Sequence, residues 1–275
     1  MNAEARRDGA SGGAAALTPP AKPLTDRIFF WAITIGLGLS LIASFFPGEI
    51  WRFPDLIGGS ANLADYGGGF LKPNFHRLPK YLENMGQTLS IALWGTTLAV
   101  LIGAPLSLVC ANNIAPFWIV RPFRFVADIM RSINDLVYAL LFTVAVGLNP
   151  FAGTLAVCFG SAGVIAKLFS EAVETIDPKP VEGVRAVGAT RMQEIVFGVL
   201  PQVAPLWTSL ALYRFESNVR AATVLGLVGA GGIGQSLVDE MRGFHYRETA
   251  AIVIVIIVTV FAIDAISAAV RKRMV

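Results

Sequence analysis

The chain alternates between long uncharged apolar runs and short polar connections, a pattern unlike that of a soluble domain. A helix needs about 20 apolar residues to cross the hydrocarbon layer of a bilayer. Runs of that order are Ile28–Phe46, Thr88–Cys110 and Ile195–Tyr213. Leu136–Ala166 is too long for one span, and Asn149-Pro150 divides it, because proline removes a backbone donor and restricts the residue before it. The division predicts a helical hairpin, one helix ending near Leu148 and the next starting near Phe151. The last run is Ala250–Val270, with Asp264 inside it. Together these predict an all-α integral membrane protein of six transmembrane helices.

Ala221–Val238 is also uncharged but carries Gly226, Gly229, Gly231, Gly232 and Gly234. Glycine-rich backbone at membrane depth is tolerated where protein or a water-filled cavity surrounds it. It is expected to be a broken or re-entrant segment, not a seventh span. With the N-terminus inside, the inner segments carry fourteen Lys and Arg and the outer ones eight. This bias places both termini and the polar stretch Glu182–Pro201 in the cytoplasm. Residues 1–26, rich in Ala, Gly and Pro, read as a disordered cytoplasmic tail. Residues 27–81 hold the first span and an external connection whose aromatics suit the membrane interface, with Arg77–Leu89 either a short flat helix or plain loop. Residues 82–275 form the main transmembrane domain, with a cytoplasmic loop at about 177–201.

Composition narrows the function classes. The chain of 275 residues is 55% hydrophobic and 15% charged, against about 25% charged for a soluble domain. The net charge of +3 includes no basic run beyond Arg271-Lys272-Arg273, so nucleic acid is not an expected partner. Cys110 and Cys158 lie in apolar runs as small buried hydrophobes, and His76 and His245 form no ligand spacing, so no metal site is expected. No cluster of His, Cys or carboxylates suited to catalysis appears, which disfavours a membrane enzyme. Inverted internal repeats, the sign of many secondary transporters, are not evident.

Three motifs remain. Asp177-Pro178-Lys179-Pro180 stops one helix and starts another. Val181–Val187 is then a short helix, Gly188 a sharp joint, and Thr190–Val199 a second short helix leading into the next span. Gly229-Ala230-Gly231-Gly232-Ile233-Gly234 matches G-x-G-x-x-G, but a dinucleotide site needs a βαβ unit and these flanks are membrane segments. No G-x-x-x-x-G-K-[ST] occurs, so a P-loop is absent and any ATP chemistry belongs to another subunit. Arg131, Asp135, Arg214, Glu216 and Arg220 border or enter apolar runs, where charge is costly and faces a cavity or a partner. Glu216 and Arg220 are four apart and can pair on one helix face. Alternatively, these residues line a polar path in which Arg131, Arg214 or Arg220 attracts an oxyanion through bidentate bonds.

Glu182, Gly188, Leu200 and Pro201 sit at the spacing of the signature of ABC importer permeases, which this chain resembles. The run Tyr213–Arg220, the segment Ala222–Gly234, Arg131-Ser132-Ile133 and Ala166–Phe169 are similar to the phosphonate importer permeases. Methionine-type importers share a similar glycine-rich segment. The resemblance implies a type I ABC importer permease architecture in a bacterial inner membrane, without a cofactor in this chain. It also implies ATPase subunits that use ATP and Mg, an extracytoplasmic phosphonate-binding protein and a second copy of this chain as partners. Glu182, Gly183, Val184, Arg185, Ala186, Gly188, Ala189 and Thr190 would couple to the ATPase. Asn134 stands where that family is expected to carry proline, which implies a straighter helix there.

Overall fold

The computed structural model describes residues 24–59 and 67–274. Of the expected tail, residues 1–23 lie outside these. The chain divides into two compact units, Met1–Leu63 and Ala64–Val275. In the first, α1 (Leu24–Phe45) already takes in Asp26 and Arg27 and is long and apolar enough to cross a membrane. A 3₁₀ turn (Ile50–Arg52) and α2 (Phe53–Gly58) follow, and Arg52 joins them by contacts to Glu49 at 2.8 Å and Asp55 at 3.1 Å.

The second unit is built around α3 (Leu78–Cys110) and α6 (Pro150–Glu174), which form its most extensive helix pair. Small residues let them approach. A Cβ at Gly103 of α3 would stand 2.8 Å from the Ile165 side chain, and one at Gly95 2.6 Å from Val157. Without a hydrophobic drive between helices in lipid, such close packing is a main source of association. The expected flat helix over Arg77–Leu89 is instead the opening of α3. Pro79 sits in its first turn, where the missing donor costs nothing, and the helix continues unbroken into the apolar run.

The predicted hairpin is present, with its break at Asn149-Pro150, but its first leg does not span alone. α5 (Asp135–Val146) has 12 residues, about 18 Å of helix at 1.5 Å per residue and too short to span. It pairs with α4 (Phe117–Ser132), bent from it by 87°, and only the two together are long and apolar enough to make a broken span or a re-entrant loop. Residues 117–132, whose Arg121, Arg124 and Arg131 were among the charges counted as inner, thus form one leg of this bent pair. Their charges every few residues conceal an apolar face that packs on α6. A Cβ at Gly163 would stand 2.7 Å from the Ala127 carbonyl oxygen. Nor is the joint straighter for having Asn134. That residue caps α5, its side chain accepting from the Leu136 amide at 2.9 Å, so an amide acceptor makes the break. The described chain therefore has five continuous candidate spans, or six if the bent pair counts as one.

The remaining elements are α7 (Pro178–Ala186), α8 (Arg191–Gln193), a π-helical stretch (Glu194–Val199) and α9 (Leu200–Leu225). A 3₁₀ turn (Gly226–Val228), α10 (Ile233–Arg242) and α11 (Tyr246–Met274) complete the unit. The glycine-rich segment breaks the fifth span and folds back. Gly229, Gly231 and Gly232 all have positive φ, the left-handed region open to glycine. The Gly232 amide donates to Gln87 at 2.8 Å and the Ile233 amide to Thr88 at 2.9 Å. Ten residues of helix separate Thr88 from the start of α3, about 15 Å. α10 then returns toward that end, as Ser236 meets Asn84 at 2.6 Å and Glu240 meets Arg77 at 3.0 Å. Thr88 and Gln87 serve as the cap that no residue of the segment itself provides.

Candidate functional site

At the end of the unit where α6 finishes, α7 to α9 make a braced projection. Asp177 caps α7 by accepting from the Lys179 amide at 3.0 Å. Gln202 of α9 accepts from the Asp177 amide at 3.2 Å and donates back to the Asp177 carbonyl at 3.2 Å. Arg185 grips Glu194 through two bonds, 2.8 and 3.0 Å, and Arg191 reaches the same carboxylate at 3.3 Å. The Glu194 carboxylate raises the Arg185 guanidinium further above its ordinary value, mainly through its hydrogen bonds. Gly198 lies against Val181, where a Cβ would be 3.1 Å from the Val181 Cα. Val181 also packs on a buried cluster of Ala111, Val173, Val199 and Val203, so the projection is anchored to three membrane helices.

Its outer surface is open. Glu182, Gly183, Arg185, Ala186, Gly188 and Thr190 are exposed, and Val184 and Ala189 half-buried. A Cβ at Gly183 or Gly188 would meet nothing within 4 Å, and Gly188 has φ +83°. Val187 beside it is 84% exposed, a large apolar side chain with no internal partner. Thr190 and Gln193 form the capping pair of the following helix, with the Thr190 amide donating to Gln193 at 2.8 Å. Inside the projection, between Asn113, Glu174, Val181, Arg185, Arg191 and Glu194, lies a cavity of about 360 Å³. Sequence reasoning missed a neighbouring brace: Glu174 of α6 receives Arg124 of α4 and both the amide and the side chain of Asn112, each of the latter at 2.8 Å. Its three parts lie far apart in sequence.

Of the five charges expected along a polar path, Asp135 and Arg214 come close enough to interact electrostatically, and the others are drawn to separate partners. Arg131 pairs with Asp128 on its own helix at 2.9 Å. Arg214 turns inward, donating to Ser161 of α6 at 3.0 Å and to Asn218 at 3.3 Å. Asn218, 1% exposed, accepts from Ser161 at 2.8 Å and donates to Thr96 of α3 at 2.8 Å. One asparagine thus ties α3, α6 and α9 at their centres. Asp135 lies against Gly160 on the same side of α6. The expected Glu216–Arg220 pair is absent. Glu216 bonds Arg271 at 2.6 Å and Arg220 bonds Asp264 at 3.1 Å, both partners on α11. Each finds its partner on the neighbouring helix, Arg271 donating to Glu216 and Asp264 accepting from Arg220. Asn218, four residues beyond Arg214, was the one visible hint of this network.

Among the described residues no group of three or more His, Cys, Asp or Glu could hold a metal. The phosphite transport system permease protein PtxC of Stutzerimonas stutzeri is 37% identical over 242 residues, 88% of each chain. The phosphate-import permease protein PhnE of Mycolicibacterium smegmatis is 36% identical over 265 residues, covering 92% of this chain and 48% of that protein, so this chain spans about half its length. Among solved structures, a chain of the methionine ABC transporter MetNI in inward-facing conformations superposes with a TM-score of 0.63 at 23% identity. The match covers 70% of this chain and 95% of that one. That likeness shows the fold, the type I importer permease fold. The profile of the binding-protein-dependent transport system inner membrane component family matches residues 103–275, and this chain is a membrane permease of that family.

Proposed function

We propose that this chain is the membrane subunit of an ATP-driven importer of phosphorus oxyanions: phosphonate, phosphite or phosphate. It works in a bacterial inner membrane with both termini cytoplasmic. Two copies enclose the path, two ATPases that use ATP and Mg dock on the projection, and an extracytoplasmic binding protein delivers the solute. The substrate class rests on the resemblance to phosphonate importer permeases and on the phosphite and phosphate named for two relatives that match most of the chain.

The observation that carries the reading is the projection itself, open on its outside and cross-braced within. Glu182 to Gly188 with the bare Val187 offers an ATPase a compact surface. The Gln202–Asp177 and Arg185–Glu194 contacts pass any displacement of α7 to α9. The Asn218 network then passes it to α3 and α6. The glycine turn at the other end of α9 supplies a hinge. Arg214, Glu216 and Arg220 lie on this moving helix, and the path follows it.

The test is co-purification followed by uptake. The tagged chain should bring down an ATPase and a binding protein, and Gly188→Arg should lose the ATPase while still inserting. The complex in proteoliposomes should take up phosphite or a phosphonate in preference to methionine. An ATPase retained by Gly188→Arg would sink the docking role, and preferential methionine uptake would sink the substrate class.

A further inference from the structure

Arg220 and Asp264 present an anomaly. Their side chains are 47% and 42% exposed, yet Asp264 lies inside the apolar run Ala250–Val270. Asp264 follows Ala250 by 14 residues and precedes Val270 by six, placing it about 21 Å and about 9 Å from the two ends of that run. An aspartate has too short a side chain to reach the interface from there, and a half-exposed carboxylate facing hydrocarbon is strongly disfavoured. The face carrying the pair therefore fronts water or polar groups. Arg214, by contrast, is largely enclosed: its Nη2 is held by Ser161 and Asn218, while its buried Nε has no hydrogen-bond partner.

We infer that Arg220 is an oxyanion subsite on a water-filled path and that Asp264 is its exchangeable counter-ion. This rests on the importer reading above. One Arg220 nitrogen, Nη1, reaches both Asp264 oxygens, at 3.1 and 3.2 Å. The remaining donors of the fork receive no partner from that carboxylate. A tetrahedral phosphorus oxyanion can take a guanidinium edge in a bidentate fashion and displaces the weaker contact with Asp264. The exchange leaves the local charge on Arg220 always matched, so a passing anion neither meets a bare cation that traps it nor a neutral wall that rejects it. Asp264 repels the anion as it leaves, which favours release.

The experiment uses the intact complex in proteoliposomes, with Cys110→Ala and Cys158→Ala removing the native thiols, both buried. Ser217→Cys and Val224→Cys place thiols one turn to either side of Arg220 on α9. Both are treated with an anionic sulfonatoethyl and a cationic trimethylammonioethyl methanethiosulfonate. The expected result is reaction at both positions, at least tenfold faster for the anionic reagent, slowed by millimolar phosphite or methylphosphonate. Arg220→Gln and the milder Arg220→Lys should erase and retain the anionic preference respectively. Phosphite uptake by the same preparation is read separately. Uptake with thiols that stay unreactive overturns this inference alone, as does reaction with no preference for the anionic reagent. Reactive thiols without phosphite or phosphonate uptake overturn the substrate reading.

Discussion

Asn218 is the residue whose loss most loosens the transmembrane core. Asn218→Leu keeps the branched heavy-atom skeleton and removes three contacts: those to Thr96 and Ser161, both 2.8 Å, and that from Arg214 at 3.3 Å. Side-chain hydrogen bonds between membrane helices average about 0.6 kcal/mol. One made to a charged group is worth about 1.5 to 3 kcal/mol, and the long Arg214 contact belongs at the lower end. The expected cost is therefore about 3 kcal/mol. Ser161→Ala loses one neutral and one charged contact, about 2 kcal/mol, and Thr96→Val only a single neutral one, about 0.6 kcal/mol. Reversible unfolding by SDS in mixed micelles reads all three. The order Asn218 over Ser161 over Thr96 follows from the network and from nothing in hydropathy. A Thr96→Val cost equal to that of Asn218→Leu, or an Asn218→Leu protein within about 0.5 kcal/mol of wild type, would refute the hub.

Further predictions concern packing, the second interhelical pair and the re-entrant turn. Gly163→Leu drives a side chain into the α4 backbone at Ala127 and should cost at least about 1 to 3 kcal/mol, read in the same titration, whereas a neutral result would mean α4 is free to shift. Glu216→Gln strands Arg271 and should cost about 2 kcal/mol, partly restored by adding Arg271→Gln; equal costs for the single and double variants would deny the pairing. Gln87→Leu leaves the Gly232 amide without its acceptor, costing about 1 to 2 kcal/mol and lowering uptake without affecting ATPase co-purification. Loss of the ATPase from that variant would show that the two ends of α9 are not separable.

Much of this protein was legible from residue order. Membrane character, the all-helical class and five of the spans follow from apolar runs, because a helix satisfies its backbone within the segment wherever it sits. The Asp177-Pro178 start of α7 and the joint at Gly188 were equally local, since caps and positive φ are set within a few residues. What sequence could not decide was everything requiring a choice among distant partners. α4 was counted with the inner segments because its charges were read without knowing that Glu174 and Asp128 receive them. Glu216 and Arg220 looked like partners because a one-dimensional reading sees only the residue one turn away. α11 packed antiparallel on α9 offered Arg271 and Asp264 instead. The glycine-rich turn was recognisable as a break, but its depth was set by Gln87 and Thr88, some 145 residues earlier. Local geometry was written in the sequence; the pairing of charges inside the membrane was left to tertiary packing, because only there does each buried group find the nearest group able to satisfy it.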